Sequence, residues 1–286
     1  MTGRTAASML GSALRASGLD WIVPDWPAPA HVGALVTTRR GGVSAGPLAA
    51  MNLGRKGHDE PSALAENRRR LAAFLPSPPI WLEQVHGTAV ATLTRETAIL
   101  PAPVADAAVT RERDVVCAIL TADCLPVLFA DRNGAAVGIA HAGWRGLAAG
   151  VLEATIAALA ALGAPREDLV AWLGPAIGPT RFEVGADVHD AFCADDDGSA
   201  ACFTPHERAG PPQARIPERA ARRYSSLPGK WHADLYGLAR RRLTRSGVTR
   251  VSGGGCCTFT DEARFFSHRR DPQTGRMAAT VWLTRE

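Results

Sequence analysis

Two apolar runs, residues 125–130 (LPVLFA) and 135–140 (AAVGIA), are separated by Asp131-Arg132-Asn133-Gly134. An Asn-Gly dipeptide between apolar runs is a strong short-range hairpin signal, because both residues tolerate the left-handed backbone that tight turns use. The hairpin then decides which side chains meet. If Asn133 and Gly134 are the two loop residues, Pro126 faces His141. If Arg132 and Asn133 form the loop, Cys124 faces His141. Either register brings Cys124 and His141 to the same open end, where directly opposed Cβ atoms lie roughly 4.5–5.5 Å apart. Such spacing suits two ligands of one metal ion, or a thiol and its base.

That end is crowded with residues of special chemistry. Asp123 adjoins the thiol, and HAGWRG supplies His141, Gly143, Arg145 and Gly146. A helix is expected at 147–163, closed by Gly163. Its N-terminus would offer free N–H groups and a positive dipole end to an anion. Arg145 would add a bidentate contact to phosphate or carboxylate, with Arg39 as a second candidate. His86 ends the short apolar segment IWLEQVHG, and on residues alone its place in the site stays open. The run His268-Arg269-Arg270 reads either as an exposed basic turn or as a substrate contact. Three nitrogen and sulfur donors from His86, Cys124 and His141 would leave zinc a fourth position for water or substrate.

The remaining chain reads as mixed strands and helices. Strands are expected at 31–37, 90–94, 114–120, 169–173 and in MAATVWL near the end. Amphipathic helices are expected at 62–75 and 235–247, the second capped by Asp234 and Gly247. Without strict βαβ alternation the fold class is α+β, a single domain of layered mixed sheets with flanking helices. Residues 1–20 read as a flexible leader, 21–286 as one catalytic domain, and about 194–229 as a variable surface excursion, partly disordered.

Composition narrows the function classes. The chain has 286 residues, 46% hydrophobic, with a formal net charge of +4. A mild positive charge fits an anionic small molecule, and scattered arginines give nucleic-acid binding no support. No apolar run reaches the roughly 18 residues of a membrane span. Six cysteines without a C-x-x-C pair read as reduced thiols, so a cytoplasmic location is expected. Neither a P-loop nor a dinucleotide-binding glycine pattern is present.

Longer segments carry a family signature: TTRRGGVSAGPLAAMNLG, ENRRRL, WLEQVHGTAV, ADAAVT, TADCLPVLFAD, VGIAHAGWRGLAAGVLEATI, LGPAIGPTRFEVG and FFSHRRDPQTGRMAATVWL. Together they resemble the bacterial YfiH/YlmD-type family, labelled both laccase-like polyphenol oxidoreductase and purine nucleoside phosphorylase. The resemblance implies a four-layer sandwich similar to the catalytic domain of cytotoxic necrotizing factor toxins. It implies that His86, Cys124 and His141 bind zinc (Zn2+, with Cu2+ as the alternative), and so brings His86 into the site. The implied activity is phosphorolysis of adenosine, inosine and methylthioadenosine to base plus ribose 1-phosphate or its methylthio analogue. Adenosine deamination is a second implied activity. Some members are linked to copper and phenol oxidation, and one line to correction of peptidoglycan precursors. This chain departs from the pattern at GRKGHDE, at the doubled Cys256-Cys257 and across 194–229.

The expected site therefore has Cys124, His141 and Asp123 as catalytic groups, Asp123 being the proton shuttle. Arg39, Arg145, His268 and Arg269 are the expected substrate contacts. Expected partners are purine nucleosides and phosphate, with no nucleic acid and no membrane, in a monomer or homodimer. Three rivals stand beside this reading. A cysteine hydrolase would use Cys124 as nucleophile and His141 as base. A copper oxidase would use the same donors, although eight histidines and no H-x-H pair are few for a multicopper centre. A zinc-stabilised binding module would need a fourth protein ligand.

Overall fold

The expected hairpin is present, and it forms the centre of the larger of two stacked sheets. The computed structural model describes residues 5–205 and 229–285. The chain begins with helix α1 (Ala6–Ala16), strand β1 (Val32–Val36), helix α2 (Pro61–Ala72) and strands β2 (Ile80–Trp81) and β3 (Val90–Thr92). Strands β4 (Ala107–Thr110), β5 (Cys117–Thr121), β6 (Leu125–Asp131) and β7 (Val137–Ala142) follow, then helices α3 (Trp144–Ala149) and α4 (Val151–Ala161). After strands β8 (Leu169–Leu173) and β9 (Glu183–Val184) come helix α5 (Ala186–Cys193) and strands β10 (Phe203–Pro205) and β11 (Trp231–Ala233). Helix α6 (Leu235–Arg245) and strands β12 (Arg250–Gly253) and β13 (Met277–Leu283) complete the chain.

One sheet has the order β1-β13-β5-β2 and the other β12-β8-β6-β7-β4-β3, with β10-β11-β9 as a small third sheet. Alternation along each strand explains the stacking. On β6, Val127 and Phe129 point into a core shared with α4 and α6, while Leu128 and Ala130 point to the opposite sheet. Ile119 of β5 and Val281 of β13 meet them there. The outer face of the smaller sheet offers Leu35, Val116 and Trp282 to Leu71 of α2 and to Leu10 and Leu14 of α1. The layers are thus helix, sheet, sheet, helix, as the resemblance implied. Both parallel and antiparallel pairs occur, so the sheets are mixed.

Two expectations need correction. Residues 1–20 are not a flexible leader where they are described. Thr5 caps α1 by accepting from the Ser8 N–H at 3.1 Å, and Leu10 and Leu14 are buried. Each buried leucine contributes roughly 1.5–3 kcal/mol, enough to hold a short helix that propensity alone would not. The single helix expected at 147–163 is two, because Gly150 takes φ +100° between α3 and α4. Within the excursion expected at 194–229, Phe203–Pro205 form β10, which pairs with β11; residues 206–228 lie outside the described residues. Among the described residues no helix is long and apolar enough to cross a membrane.

Candidate metal centre and cleft

The chain changes sheets between β5 and β6, and the three residues that make the crossing are Ala122, Asp123 and Cys124. Asp123 takes φ +87°, and its carboxylate accepts from Thr258 Oγ1 (2.6 Å), Ser267 Oγ (3.1 Å) and the Arg269 N–H (2.7 Å). This bend places Cys124 where the two sheets part. In the β6–β7 hairpin Pro126 pairs with His141 and Leu125 with Ala142, the register expected for an Asn133-Gly134 loop. The loop itself is longer. Asp131 and Ala136 still bond, and the Asp131 carboxylate accepts from Ala135 N–H at 2.9 Å. Cys124 is therefore diagonal to His141 rather than opposite it. His86 arrives from the turn after β2, with φ +62°.

The three donors converge. Cys124 Sγ lies 3.6 Å from His86 Nε2, the two imidazole centroids are 4.8 Å apart, and all three ligand atoms fall within 4.8 Å of one another. Gly143 makes the approach feasible: a Cβ there would sit 2.8 Å from His86 Cδ2 and 3.0 Å from Cys124 Sγ.

Behind the triad stands Asp106, which the sequence reading gave no role. Its Oδ1 is 2.8 Å from His141 Nδ1, and its two oxygens also accept from the N–H groups of His86 (2.9 Å), Val85 (3.1 Å) and Gly87 (2.6 Å). One fully buried carboxylate thus orients His141 and builds the turn that carries His86. Binding Nδ1 leaves His141 Nε2 for the site, the arrangement in which a carboxylate supports a metal-bound histidine. A signal was present. Asp106 interrupts an apolar strand, ADAAV, and a buried carboxylate in such a run must be paired.

Electrostatics follow from these contacts. Burial pushes the Cys124 thiol up, but His141 and then His86 outweigh it and bring it down to about 6. Burial pushes His141 down, and Cys124 with Asp106 outweighs that, raising it to about 9. Burial likewise raises Asp106, while His141 and the Gly87 and Val85 N–H groups hold it below its ordinary range. A thiolate and two imidazoles, one backed by a carboxylate, form a donor set that fits zinc or copper.

The triad lines a cleft of about 1310 Å³ that Arg145 and His268 also line. Among the described residues, five cationic side chains, Arg55, Lys56, Arg68, Arg145 and Arg276, face it against one carboxylate, Glu83. The cleft therefore favours an anionic ligand. The Arg145 guanidinium lies 4.4 Å over the Trp144 ring. The helix start moves to Trp144, and the helix is only six residues long, so the expected anion seat at residue 147 is absent. Arg39 and Arg269 do not line the cleft. Arg39 donates to the carbonyls of Ala49 and Glu262 and packs over Phe266. Arg269 donates to Glu183 O and packs over Phe182. Asp123 is likewise held behind the site by its three donors.

Fold and site together define an α+β sandwich with a His-Cys-His cluster that could hold a metal ion at the junction of its sheets. Residues 33–284 match the family described as multi-copper polyphenol oxidoreductase laccase, and the chain belongs to that family. It is 50% identical over 263 residues to the purine nucleoside phosphorylase PA4543 of Pseudomonas aeruginosa, covering 92% of this chain and 98% of that protein. The purine nucleoside phosphorylase YfiH of Escherichia coli K12 is 47% identical over 264 residues, with the same coverage. Among solved structures, protein NMB0706 of Neisseria meningitidis superposes with a TM-score of 0.81 at 45% identity, over 93% of this chain and 100% of that one. YlmD from Geobacillus stearothermophilus gives 0.77 at 32% identity, over 93% and 96%.

Proposed function

We propose that this chain is a zinc-dependent purine nucleoside phosphorylase. Its substrates are adenosine, inosine and methylthioadenosine, and its products the free base and ribose 1-phosphate or the methylthio analogue. Adenosine deamination is a second activity of the same site. The observation that carries the reading is the meeting of the His86-Cys124-His141 donor set with five cations in one cleft. The names of relatives up to 50% identical supply the reaction class.

In phosphorolysis a phosphate oxygen bonds to ribose C1′ as the bond from C1′ to the purine nitrogen breaks. Electrons move into the purine, which leaves as the neutral base once it gains a proton. The cationic wall holds phosphate against C1′, and Arg145 and His268 contact substrate. His86, Cys124 and His141 hold the metal, with Asp106 fixing the His141 tautomer. When bound, zinc supplies Lewis acidity. In deamination water adds at purine C6 and ammonia leaves. Glu83 takes the proton-shuttle role first expected of Asp123, because it is the carboxylate that lines the cleft.

The test is a product assay of metal-loaded protein with adenosine, with and without phosphate. Adenine that forms only with phosphate supports phosphorolysis, and inosine reports deamination. Absence of every product contradicts both. A second reading, cysteine hydrolase, draws on the Cys124–His141 pair in its thiolate-imidazolium state. It predicts activity that survives metal removal and disappears on alkylation of Cys124.

A further inference from the structure

We propose that the wall of the cleft formed by Arg55, Arg68, Thr274 and Arg276 is the seat of a tetrahedral oxyanion, and that this anion is orthophosphate. The choice of orthophosphate rests on the phosphorylase reading; the anion seat itself rests on the geometry below.

Arg68 comes from α2 and lies 4.7 Å over the Trp81 ring. Its Nη2 donates to Leu53 O at 2.9 Å, but its Nε is buried and has no partner. Burial and the neighbouring Arg55 cation pull it down to about 10, and no carboxylate acts on it in return. Arg68 as a whole is half-buried, but its Nε is a buried donor, and a buried donor left without an acceptor destabilises. Thr274 repeats the pattern. It is 5% exposed, lines the same cleft, and its Oγ1 has no partner. Two independent side chains therefore present unfilled hydrogen-bonding capacity at one wall.

The wall is built to be rigid. Arg276 N–H donates to Asn52 Oδ1 at 2.9 Å, and Leu53 N–H donates to Arg276 O at 3.1 Å. Arg276 Nη1 is held by the carbonyls of Thr274 (3.1 Å) and Gly275 (2.9 Å). A Cβ on Gly54 would lie 2.7 Å from Arg276 Cγ, so the segments 52–57 and 274–276 interlock. Arg276 and Cys124 line the same cleft, which joins this wall to the candidate metal centre. An oxyanion placed here neutralises Arg55 and Arg68 and brings an acceptor to the side of the wall behind which Arg68 Nε and the Thr274 hydroxyl lie without a protein partner among the described residues. Arg145 of HAGWRG lines the same cleft, while the seat itself is assembled from residues 55, 68 and 274–276.

The test is calorimetric binding of orthophosphate to the metal-loaded full chain without nucleoside. Arg68→Met keeps an unbranched apolar side chain and removes both the charge and the guanidinium that lies over Trp81. It is expected to weaken orthophosphate binding by about tenfold to a hundredfold. Thr274→Val is expected to weaken it by roughly threefold to tenfold, and Arg68→Lys to recover part of the loss. In turnover the KM for phosphate rises in parallel while the KM for nucleoside holds. Melting temperatures without phosphate identify a variant that fails to fold, and Arg68→Lys with Thr274→Val then carry the test. Equal phosphate affinity in wild type and the variants overturns the seat. Binding of a phosphate monoester, dependent on Arg68, with none of orthophosphate overturns the assignment of the anion. Arg68-dependent orthophosphate binding in a protein that forms no ribose 1-phosphate upholds the seat and overturns the phosphorylase reading instead.

Discussion

Cys117 and Cys124 lie on one stretch of chain, and their surroundings give them opposite chemistry. Cys117 starts β5 inside the core between the two sheets, with Val32, Ile119 and Val281 in the same cluster. It is fully buried, and burial pushes its thiol up to about 12. Cys124 follows the sheet crossing at Asp123, meets two imidazoles and sits at about 6. Burial penalises the thiolate in both. What separates them is the crossing itself. Leaving one sheet for the other, the chain exposes a position that β7 and the 82–87 turn can reach, and His141 and His86 come from those elements. A cysteine inside a layer packs; a cysteine between layers can bind.

Substitution breaks this comparison most sharply. Cys124→Ala is expected to remove bound metal and lower turnover by at least about a hundredfold. Cys117→Ala is expected to keep metal stoichiometry and turnover while losing about 1 kcal/mol of stability. Metal analysis and denaturant melts check the pair, and equal effects of the two would end the distinction. Asp106→Asn is the next largest. Losing the charge that orients His141 and binds three N–H groups should cost roughly 10–100-fold in metal affinity or activity, read by chelator competition.

Alkylation sharpens the comparison by pH. In metal-free protein Cys124 exists as thiolate above its lowered midpoint, so its reaction with iodoacetamide rises with pH through about 6. Cys117, pushed up to about 12, stays unmodified across that range. Metal loading protects Cys124. A Cys124 midpoint near the ordinary thiol value of about 8.5 would refute the thiolate-imidazolium pair. The smallest expected effect is at Gly143→Ala. Its Cβ, 2.8 Å from His86 Cδ2, forces the triad apart. Overpacking of this kind costs about 1–3 kcal/mol, read as a lower melting midpoint together with weaker metal binding.

The same contrast between local and distant contacts explains what could be read in the sequence. The hairpin, β8, β13, α2 and α6 are carried by local periodicity and turn residues, and they stand close to their expected bounds. Cys124 and His141 were joined by the hairpin, because one turn fixes their separation. His86 came through family resemblance alone, since the turn that brings it depends on Asp106, twenty residues on in the chain. The cationic wall needs Arg55, Arg68 and Arg276 together, and nothing local links α2 to the last strand. Arg39 and Arg269 lie outside the cleft for a related reason. An arginine spent on backbone carbonyls and one that faces a cleft look alike in sequence. Gly150 was read through because the Ala/Leu pattern continues across it.

The most direct measurement of the central claim joins metal content to product. Wild type and His86→Ala are analysed for metal and incubated with adenosine and phosphate, and the products are separated by chromatography. The proposed function predicts about one zinc per wild-type chain with phosphate-dependent adenine, and the loss of both in His86→Ala. Full phosphate-dependent adenine formation by a metal-free His86→Ala protein would contradict it.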